Sequence, residues 1–169
     1  MECVNQTRWL TEGEQEVWRA FVTAVEGLTE HFDRQLQRDS GMPYTYYEIL
    51  VALSEAPGRT LRMSTLAGAR GSSRSRLSHA VARLEEVGWV QRRTCATDKR
   101  GSFAVLTDKG FAALEAAAPG HVTAVREKLF DVLNPEQVAM LGQISKAILS
   151  GLNCQETAAN CQEPAESDC

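Results

Sequence analysis

The stretch from residue 59 to residue 107 constrains the fold more than any other part of the chain. It holds two helical patterns followed at once by two strand patterns. The first helix is predicted near Met63 to Ala69, and the turn Gly71-Ser72-Ser73 supplies a serine cap for the second. A hairpin is predicted from two alternating runs, WVQRRT and SFAVLT, which the polar loop CATDKRG joins. The inward face of the second helix is predicted to consist of Leu77, Ala80, Val81, Leu84 and Gly88.

A long helix is predicted before this stretch. Thr11 and Glu14 form a capping box at its start, and Ser40-Gly41 and Pro43 stop it. Its apolar positions recur at steps of three and four residues: Phe21, Val25, Leu28, Phe32 and Leu36. Because the remaining chain is too short to cover a helix of about thirty residues, we expect much of the apolar stripe to pack on a partner helix.

Two further features concern the helices on either side of the helix-turn-helix. A second capping box, Thr45 and Glu48, predicts a short helix that ends at Pro57-Gly58. After the hairpin, Thr107 caps another helix, which Pro119-Gly120 is expected to interrupt. That interruption leaves either one kinked helix or two stacked segments.

The chain is predicted to end in one more helix and a tail. Asn134 followed by Pro135 is a strong helix start. Periodicity is lost after Gly151-Leu152, so the tail is expected to be disordered.

These elements predict a mainly α fold with a small β-wing, in which a winged helix-turn-helix lobe is held between terminal dimerisation helices. The predicted division of the chain is an N-terminal arm and dimerisation helix over 1–41, the DNA-binding lobe over 42–110, C-terminal dimerisation helices over 111–151 and the tail over 152–169.

The distribution of charge supports an anion-binding lobe. The 169 residues carry a net charge of -4. From Arg59 to Lys109, however, there are 11 Lys and Arg against 4 Asp and Glu, a balance of +7, while the other 7 basic and 18 acidic residues give -11. A basic middle between acidic flanks is typical of a nucleic-acid-binding module.

The second helix of the pair has the residue types that reading of a major groove requires. Small and hydroxyl side chains allow close approach, and arginines and a histidine can reach phosphates or base edges. The predicted contacts on this recognition helix are Ser72, Ser73, Arg74, Ser75, Arg76, Ser78, His79 and Arg83. A solvated amphipathic helix is the simpler alternative.

The hairpin tip adds a second candidate site. Arg100 is the residue that we expect in the minor groove, with Asp98 holding its guanidinium and Lys99 meeting a phosphate. Arg92 and Arg93 on the first strand complete the predicted wing contacts. An ordinary polar turn is the alternative here.

No pattern in the chain indicates an enzyme, a metal site or a cofactor. Cys3, Cys95, Cys154, Cys161 and Cys169 are odd in number and lack metal-ligand spacing, which argues against a disulfide framework or zinc site. The sequence predicts neither a signal peptide nor a membrane span, so we expect a cytoplasmic protein.

Residues 44 to 114 resemble the multiple-antibiotic-resistance-regulator (MarR) family of bacterial transcription factors. The matching motifs are LRMSTLA, SSRSRLSHAVARLEEVGWV, the Asp98-x-Arg100 wing tip and LTDKG, and the flanking helices extend the likeness over residues 11 to 151. The resemblance implies a homodimer that binds pseudo-palindromic operators and represses transcription. It also implies that a small, phenolic or otherwise apolar effector releases the DNA.

The effector pocket is not located by the sequence. Aromatic candidates for its lining are Trp18, His31, Tyr44, Tyr46 and Tyr47, although aromatic residues at helical spacing are more often core. Two other functions remain open: a redox-sensing regulator of the same fold, with Cys95 beside Arg92 and Arg93 as its thiol, and a winged-helix architectural protein that binds DNA without sequence preference.

Overall fold

The computed structural model describes residues 7–69, 73–94 and 102–160. Its elements are, in chain order, α1 (Glu12–Ser40), α2 (Tyr44–Glu55), a 3-10 turn (Pro57–Arg59), β1 (Thr60–Arg62), α3 (Met63–Ala69), α4 (Arg74–Val87), β2 (Val90–Thr94), β3 (Ser102–Leu106), α5 (Asp108–Val125), a π-helical turn (Arg126–Phe130) and α6 (Pro135–Asn160). The predicted fold class, mainly α with a small β-wing, is confirmed.

The ends of α1 are set by the residues that the sequence indicated. Thr11 Oγ1 accepts the Glu14 backbone N–H at 3.2 Å, and Glu14 Oε2 accepts the Thr11 backbone N–H at 2.7 Å. The N–H of Thr11 lowers the pKa of the Glu14 carboxyl because it stabilises the charged form. At the other end Gly41 adopts a φ of 64°, a left-handed conformation that glycine tolerates best.

The start of α2 differs from the prediction. The helix begins at Tyr44, so Thr45 lies inside it and the second capping box does not form. The Tyr44 backbone N–H instead donates to Asp33 Oδ1 of α1 at 2.8 Å. A carboxylate from a neighbouring helix therefore replaces the local cap, a contact that is distant in sequence and was not predicted.

The helix-turn-helix and both wing strands are confirmed, but the sheet has a third strand. The order is β1-β3-β2, with both pairs antiparallel. β1 was not predicted because three residues are too few to show an alternating pattern. Its partner β3 pairs with β2 from Val90↔Leu106 to Thr94↔Ser102.

One hydrophobic core holds the helices and the sheet of the lobe together. Side chains of α2, α3, α4 and the sheet meet there, and α5 closes it on the side of α1. The largest fully buried side chains are Leu36, Met42, Ile49, Leu50, Leu53, Leu66, Val81 and Leu84. Because α4 contributes Val81 and Leu84 to this core, its opposite face is turned outward.

Of the two arrangements predicted around Pro119-Gly120, the structure has one helix and not two stacked segments. α5 continues through Pro119 to Val125, and the departure from α-helical bonding comes at the π-helical turn. Proline removes one backbone donor. The burial of Ala117, His121 and Ala124 on either side of it favours a continuous helix.

The predicted start of the tail is also wrong. α6 runs nine residues past Gly151, to Asn160, and residues 161–169 lie outside the described part of the chain. A single interior glycine costs a helix only about 1 kcal/mol. The stretch that follows contains Gln, Glu and two Ala, which favour helix. Within the described residues, no helix combines the length and apolar character needed to cross a bilayer.

Candidate nucleic-acid interface

The predicted recognition helix α4 is fixed at both ends. Ser73 Oγ accepts the Arg76 backbone N–H at 3.3 Å, which confirms the predicted serine cap. Gly88 ends the helix with a φ of 80°. Leu77, Val81 and Leu84 are buried as predicted. Because this face packs on the core, the opposite face of α4 points to the outside of the lobe.

That opposite face exposes Ser75, Arg76, His79 and Arg83. No acidic side chain interrupts it until Arg83, which forms a surface ion pair with Glu86 at 2.8 Å. The hydrogen bond from Arg83 to Glu86 raises the pKa of the guanidinium. Since surface pairs of this kind contribute little and rearrange easily, Arg83 can exchange Glu86 for a phosphate.

Two predicted contacts have partners inside the lobe instead. Arg92 Nη2 donates to the Ser78 backbone carbonyl at 2.6 Å, and Arg92 Nε lies 3.1 Å from Glu85 Oε2. The other Glu85 oxygen accepts the Arg92 backbone N–H at 2.8 Å. Arg92 therefore joins β2 to α4, and both it and the Ser78 carbonyl are engaged within the lobe.

Arg93 lies on the opposite side of β2 and is exposed. The other predicted wing contacts, Asp98, Lys99 and Arg100, lie outside the described residues, as do Ser72 and Cys95. Arg74 is the first residue of α4, but its side chain is outside the description. The same holds for the side chain of Cys154 and for the whole of Cys3, Cys161 and Cys169.

An aromatic cluster joins the lobe to the long helices, and sequence reasoning missed its central residue. His121 of α5 lies 4.5 Å from Tyr47, 5.2 Å from Phe32 and 5.7 Å from Tyr44 between ring centroids. Its burial lowers the pKa of the imidazole, just as burial raises the pKa of the Tyr47 hydroxyl. The spacing of Ala117, His121 and Ala124 along one helix face was the available signal.

Two buried polar atoms lie on α1 and α5, one of them in this cluster. His121 Nδ1 and Gln35 Oε1 are buried and have no hydrogen-bond partner among the described residues. Gly120 brings α5 close to α1, since a Cβ atom there would lie 3.2 Å from Gln35 Nε2. Of the predicted pocket residues, Tyr44 and Tyr47 belong to this cluster, whereas Trp18 is exposed on α1.

The long helices leave apolar side chains uncovered in the single chain. Trp18 is 57% exposed and Phe21 44% exposed on α1, and Ile144 is 47% exposed on α6. The remaining large apolar side chains exposed on these two helices are Val17, Val25, Met140, Ile148, Leu149 and Leu152. Exposed apolar surface of this extent is typical of a protein interface.

Comparison with known proteins agrees with the geometry. A model of the MarR family matches residues 40–101. The chain is 56% identical to Sco3205 from Streptomyces coelicolor, a MarR family transcriptional regulator solved in complex with DNA; the match covers 85% of this chain and 94% of that chain, with a TM-score of 0.81.

Two further relatives extend the comparison. AbsC from Streptomyces coelicolor, also a MarR family transcriptional regulator, is 43% identical over 87% of this chain and 99% of its own, with a TM-score of 0.80. The transcriptional repressor MprA of Escherichia coli is 29% identical over 129 residues, which are 76% of this chain and 72% of the relative.

Proposed function

The chain belongs to the MarR family of winged-helix, DNA-binding transcriptional regulators, and from that premise we propose that it is a sequence-specific repressor. In this proposal it acts as a homodimer on pseudo-palindromic operators in the bacterial cytoplasm. A small apolar or phenolic effector releases it from the DNA. It carries out no catalysis.

The single observation that carries the proposal is the outward face of α4. A capped helix, held by a buried apolar face, presents Ser75, Arg76 and His79 to the outside with no acid among them. Small and hydroxyl residues permit close approach to bases, and the arginine supplies hydrogen bonds to guanine or phosphate. The relative Sco3205 has been solved with DNA, which supports the same use of the lobe here.

The roles of the proposed contacts follow from their positions. Ser75, Arg76 and His79 meet base edges or adjacent phosphates in the major groove, with Ser72, Ser73 and Arg74 at the start of the helix beside them. Arg83 and Arg93 bind phosphates. At the wing tip, Arg100 enters the minor groove, Asp98 orients it and Lys99 binds a phosphate.

The homodimer is supported by the uncovered apolar side chains of α1 and α6. An isologous pair would bury these stripes against each other and place two copies of α4 on one side of a duplex. Recognition helices one helical turn apart would then read half-sites about 10 base pairs between centres.

Repression is the direction of control that we propose, and the relative MprA, a transcriptional repressor, supports it. A reporter gene placed behind the selected operator in a heterologous host tests this directly. Expression of the protein should lower reporter output, and increased output would make it an activator.

The DNA test is selection of bound duplexes from a random pool, followed by titration on the selected site and on a scrambled duplex over a salt series. We expect an affinity ratio on the order of 10³ or more in favour of the selected site. His79→Ala should change the preferred bases rather than only the affinity. A ratio near one at all salt concentrations would instead support a non-specific architectural protein.

The effector is proposed to act at the aromatic cluster around His121. The cluster lies where α1, α2 and α5 meet, and the buried Nδ1 of His121, which has no partner among the described residues, can hydrogen-bond a hydroxyl or carboxyl group of a ligand. A thermal-shift screen of phenolic compounds should find ligands that raise the melting temperature and weaken operator binding. Tyr47→Phe and His121→Phe should weaken these ligands. A screen without hits would count against the effector.

A further inference from the structure

We propose that residues 107–111 at the start of α5, the α5 clamp, set the spacing between half-sites that the protein accepts. The clamp holds the recognition helix α4 on one side and the 3-10 turn before β1 on the other. Lys109 and Arg59 are its positioning residues. This inference rests on the proposed function, because spacing matters only to a homodimer that reads two half-sites. It assigns the choice of spacing to residues outside the proposed DNA contacts.

The α5 clamp supplies partners for carbonyl groups at the end of α4. The last carbonyls of a helix have no donor within the helix and need one from elsewhere. Lys109 Nζ donates to the Val87 carbonyl at 2.7 Å, and Thr107 Oγ1 donates to the Gly88 carbonyl at 2.8 Å. The charge of the lysine also suits the negative end of the helix dipole. The end of α4 is therefore attached directly to α5.

Arg59 forms the attachment on the other side of the α5 clamp. Its guanidinium carbon lies 3.8 Å from the centroid of the Phe111 ring, and its Nη1 lies 3.1 Å from Asp108 Oδ1. Because the Asp108 side chain is fully exposed, the ion pair contributes little, and the stack on the ring fixes the position of the guanidinium. Arg59 is followed directly by β1 and α3. Both helices of the helix-turn-helix are therefore attached to the same turn of α5.

The backbone of Arg59 is in an unfavourable conformation. Its φ is 55°, and among the described residues it is the only one other than glycine with a positive φ. Glycine or asparagine would adopt this left-handed conformation with less strain. Residues held in sparsely populated backbone regions cluster at functional sites, where the surrounding structure determines them. The contacts of the Arg59 side chain with Phe111 and Asp108 offset the strain, which indicates that the position of this turn relative to α5 matters.

The far end of α5 lies against the helix that is proposed to form the dimer. α5 is continuous over 18 residues, a length of about 27 Å at 1.5 Å per residue. Near its end the His121 ring lies 5.2 Å from the Phe32 ring of α1, and Gly120 lies beside Gln35 of the same helix. A stiff connection therefore runs from α1 through α5 to the end of α4.

A stiff connection has a specific consequence on DNA. One base pair more or less between the half-sites moves the second half-site by about 3.4 Å along the duplex and rotates it by about 35°. Recognition helices that are firmly attached to the dimer cannot follow both changes, so only one half-site is then engaged. Loosely attached helices can follow them, but they bind the best spacing less tightly because they are less preorganised. The α5 clamp should therefore affect discrimination between spacings rather than the reading of one half-site.

The test uses four duplexes: the selected operator, the same operator with one base pair added at its centre, the operator with one removed there, and a single half-site. Lys109→Met keeps the aliphatic stem but loses the donor, and Arg59→Asn tolerates the left-handed backbone but cannot stack on Phe111. Lys109→Arg retains a donor for the Val87 carbonyl. Lys128→Met is the control, since Lys128 is exposed on the π-helical turn. Thermal unfolding and the mass in solution are measured for every variant.

Wild type, Lys109→Arg and Lys128→Met should lose roughly tenfold or more in affinity when the spacing changes by one base pair. Lys109→Met and Arg59→Asn should lose only about threefold or less on the same duplexes. Both should bind the selected operator roughly two- to fivefold more weakly than wild type, because their recognition helices are less preorganised. On the single half-site every variant should match wild type, and the bases preferred within a half-site should not change.

Several results would overturn the inference. If Lys109→Met and Arg59→Asn discriminate between spacings as wild type does, the α5 clamp does not set the spacing, and the packing of α2 holds α4 in place. An equal loss on all four duplexes with a lowered melting temperature would make both residues structural only. Loss of discrimination in Lys109→Arg would refute the role of the donor to Val87. If wild type accepts all spacings equally, only this inference fails; if it binds no duplex, the proposed function fails with it.

Discussion

Arg92 and Arg93 are adjacent in the chain, yet their side chains lie on opposite faces of β2. Because side chains alternate along a strand, Arg92 points toward α4, where it donates to the Ser78 carbonyl and pairs with Glu85. Arg93 points to the surface. Composition alone makes the two equivalent, and both were predicted as DNA contacts. The difference lies in the partner that α4 supplies, which is seven residues or more away along the chain.

Alanine substitutions should separate these two arginines. Arg92→Ala removes the 2.6 Å hydrogen bond to the Ser78 carbonyl and the half-buried contact with Glu85, so we expect the free energy of unfolding to fall by about 1–2 kcal/mol. Arg93→Ala should change it by less than ~0.5 kcal/mol, since no core contact is lost. Urea unfolding measures both. Equal losses of stability would contradict the assignment.

The buried imidazole of His121 predicts a loss of stability in acid. An unfolded histidine titrates near pH 6.5, and burial lowers the pKa of His121 in the folded chain. Between these two pKa values the unfolded chain takes up a proton that the folded chain does not. The free energy of unfolding therefore falls as the pH drops below about 6.5, until the pKa of the folded state has been passed.

Replacement of His121 by phenylalanine should remove this part of the pH dependence. Urea midpoints are measured for wild type, His121→Phe and His79→Gln from pH 5 to pH 8. The decline toward pH 5 should be smaller in His121→Phe than in wild type. His79 is exposed on α4, so His79→Gln should retain the decline. Parallel curves for wild type and His121→Phe would count against a buried neutral imidazole.

At the scale of the elements, the contact between α5 and the start of β2 depends on one glycine. A Cβ atom on Gly110 would lie 2.1 Å from the Trp89 carbonyl oxygen. Thr107 caps α5 in the same place, where its Oγ1 donates to the Gly88 carbonyl and accepts the Gly110 backbone N–H. The first turn of α5 is therefore packed directly on the Trp89 backbone, with the Leu106 side chain beside it.

Gly110→Ala should accordingly destabilise the protein by about 1–3 kcal/mol or more, because backbone must move to admit the methyl group. Gly13 is the matched control: it lies in the first turn of α1 with nothing within 4 Å of a Cβ atom. Gly13→Ala should leave the free energy of unfolding unchanged or raise it by up to ~1 kcal/mol. Urea unfolding checks the pair, and a neutral Gly110→Ala would show that the close approach is absent.

The elements that could be predicted are those whose ends are set by residues close together in the sequence. The capping box of α1, the serine cap of α4 and the hairpin strands are specified by residues within a few positions of one another, and the structure confirms them. The start of α2 and the course of α5 through Pro119 depend on α1, through Asp33 and through packing. Such contacts between distant segments override local preference. For this reason the cap predicted at Thr45 was wrong, and the sequence could not decide between one helix and two segments at Pro119.

The candidate site shows the same division. The spacing of the apolar residues of α4 at steps of three and four was sufficient to show which face of the helix is buried. Ser75, Arg76 and His79 were therefore predicted on the outward side, and the structure confirms that they are exposed. The aromatic cluster around His121 could not be assembled from sequence, because its rings come from three helices. Strand β1 could not be predicted either, because it is only three residues long.

For the molecule as a whole, the apolar stripes of α1 and α6 predict that assembly and DNA binding are linked. Phe21→Glu places a charge on the stripe of α1, where the side chain is 44% exposed in the single chain. The protomer core should therefore be little affected, while a desolvated carboxylate in a dimer interface would be costly. Thr23→Glu is the control, since Thr23 is exposed on the other side of the same helix.

Light scattering after size-exclusion chromatography should give about twice the chain mass of 18.6 kDa for wild type and Thr23→Glu, and the single-chain mass for Phe21→Glu. Loss of the dimer removes the second α4 from the complex, so Phe21→Glu should bind the full palindrome hardly more tightly than one half-site. A wild type that is monomeric at micromolar concentration would contradict the homodimer. A monomeric Phe21→Glu that keeps full affinity for the palindrome would show instead that each lobe reads DNA alone.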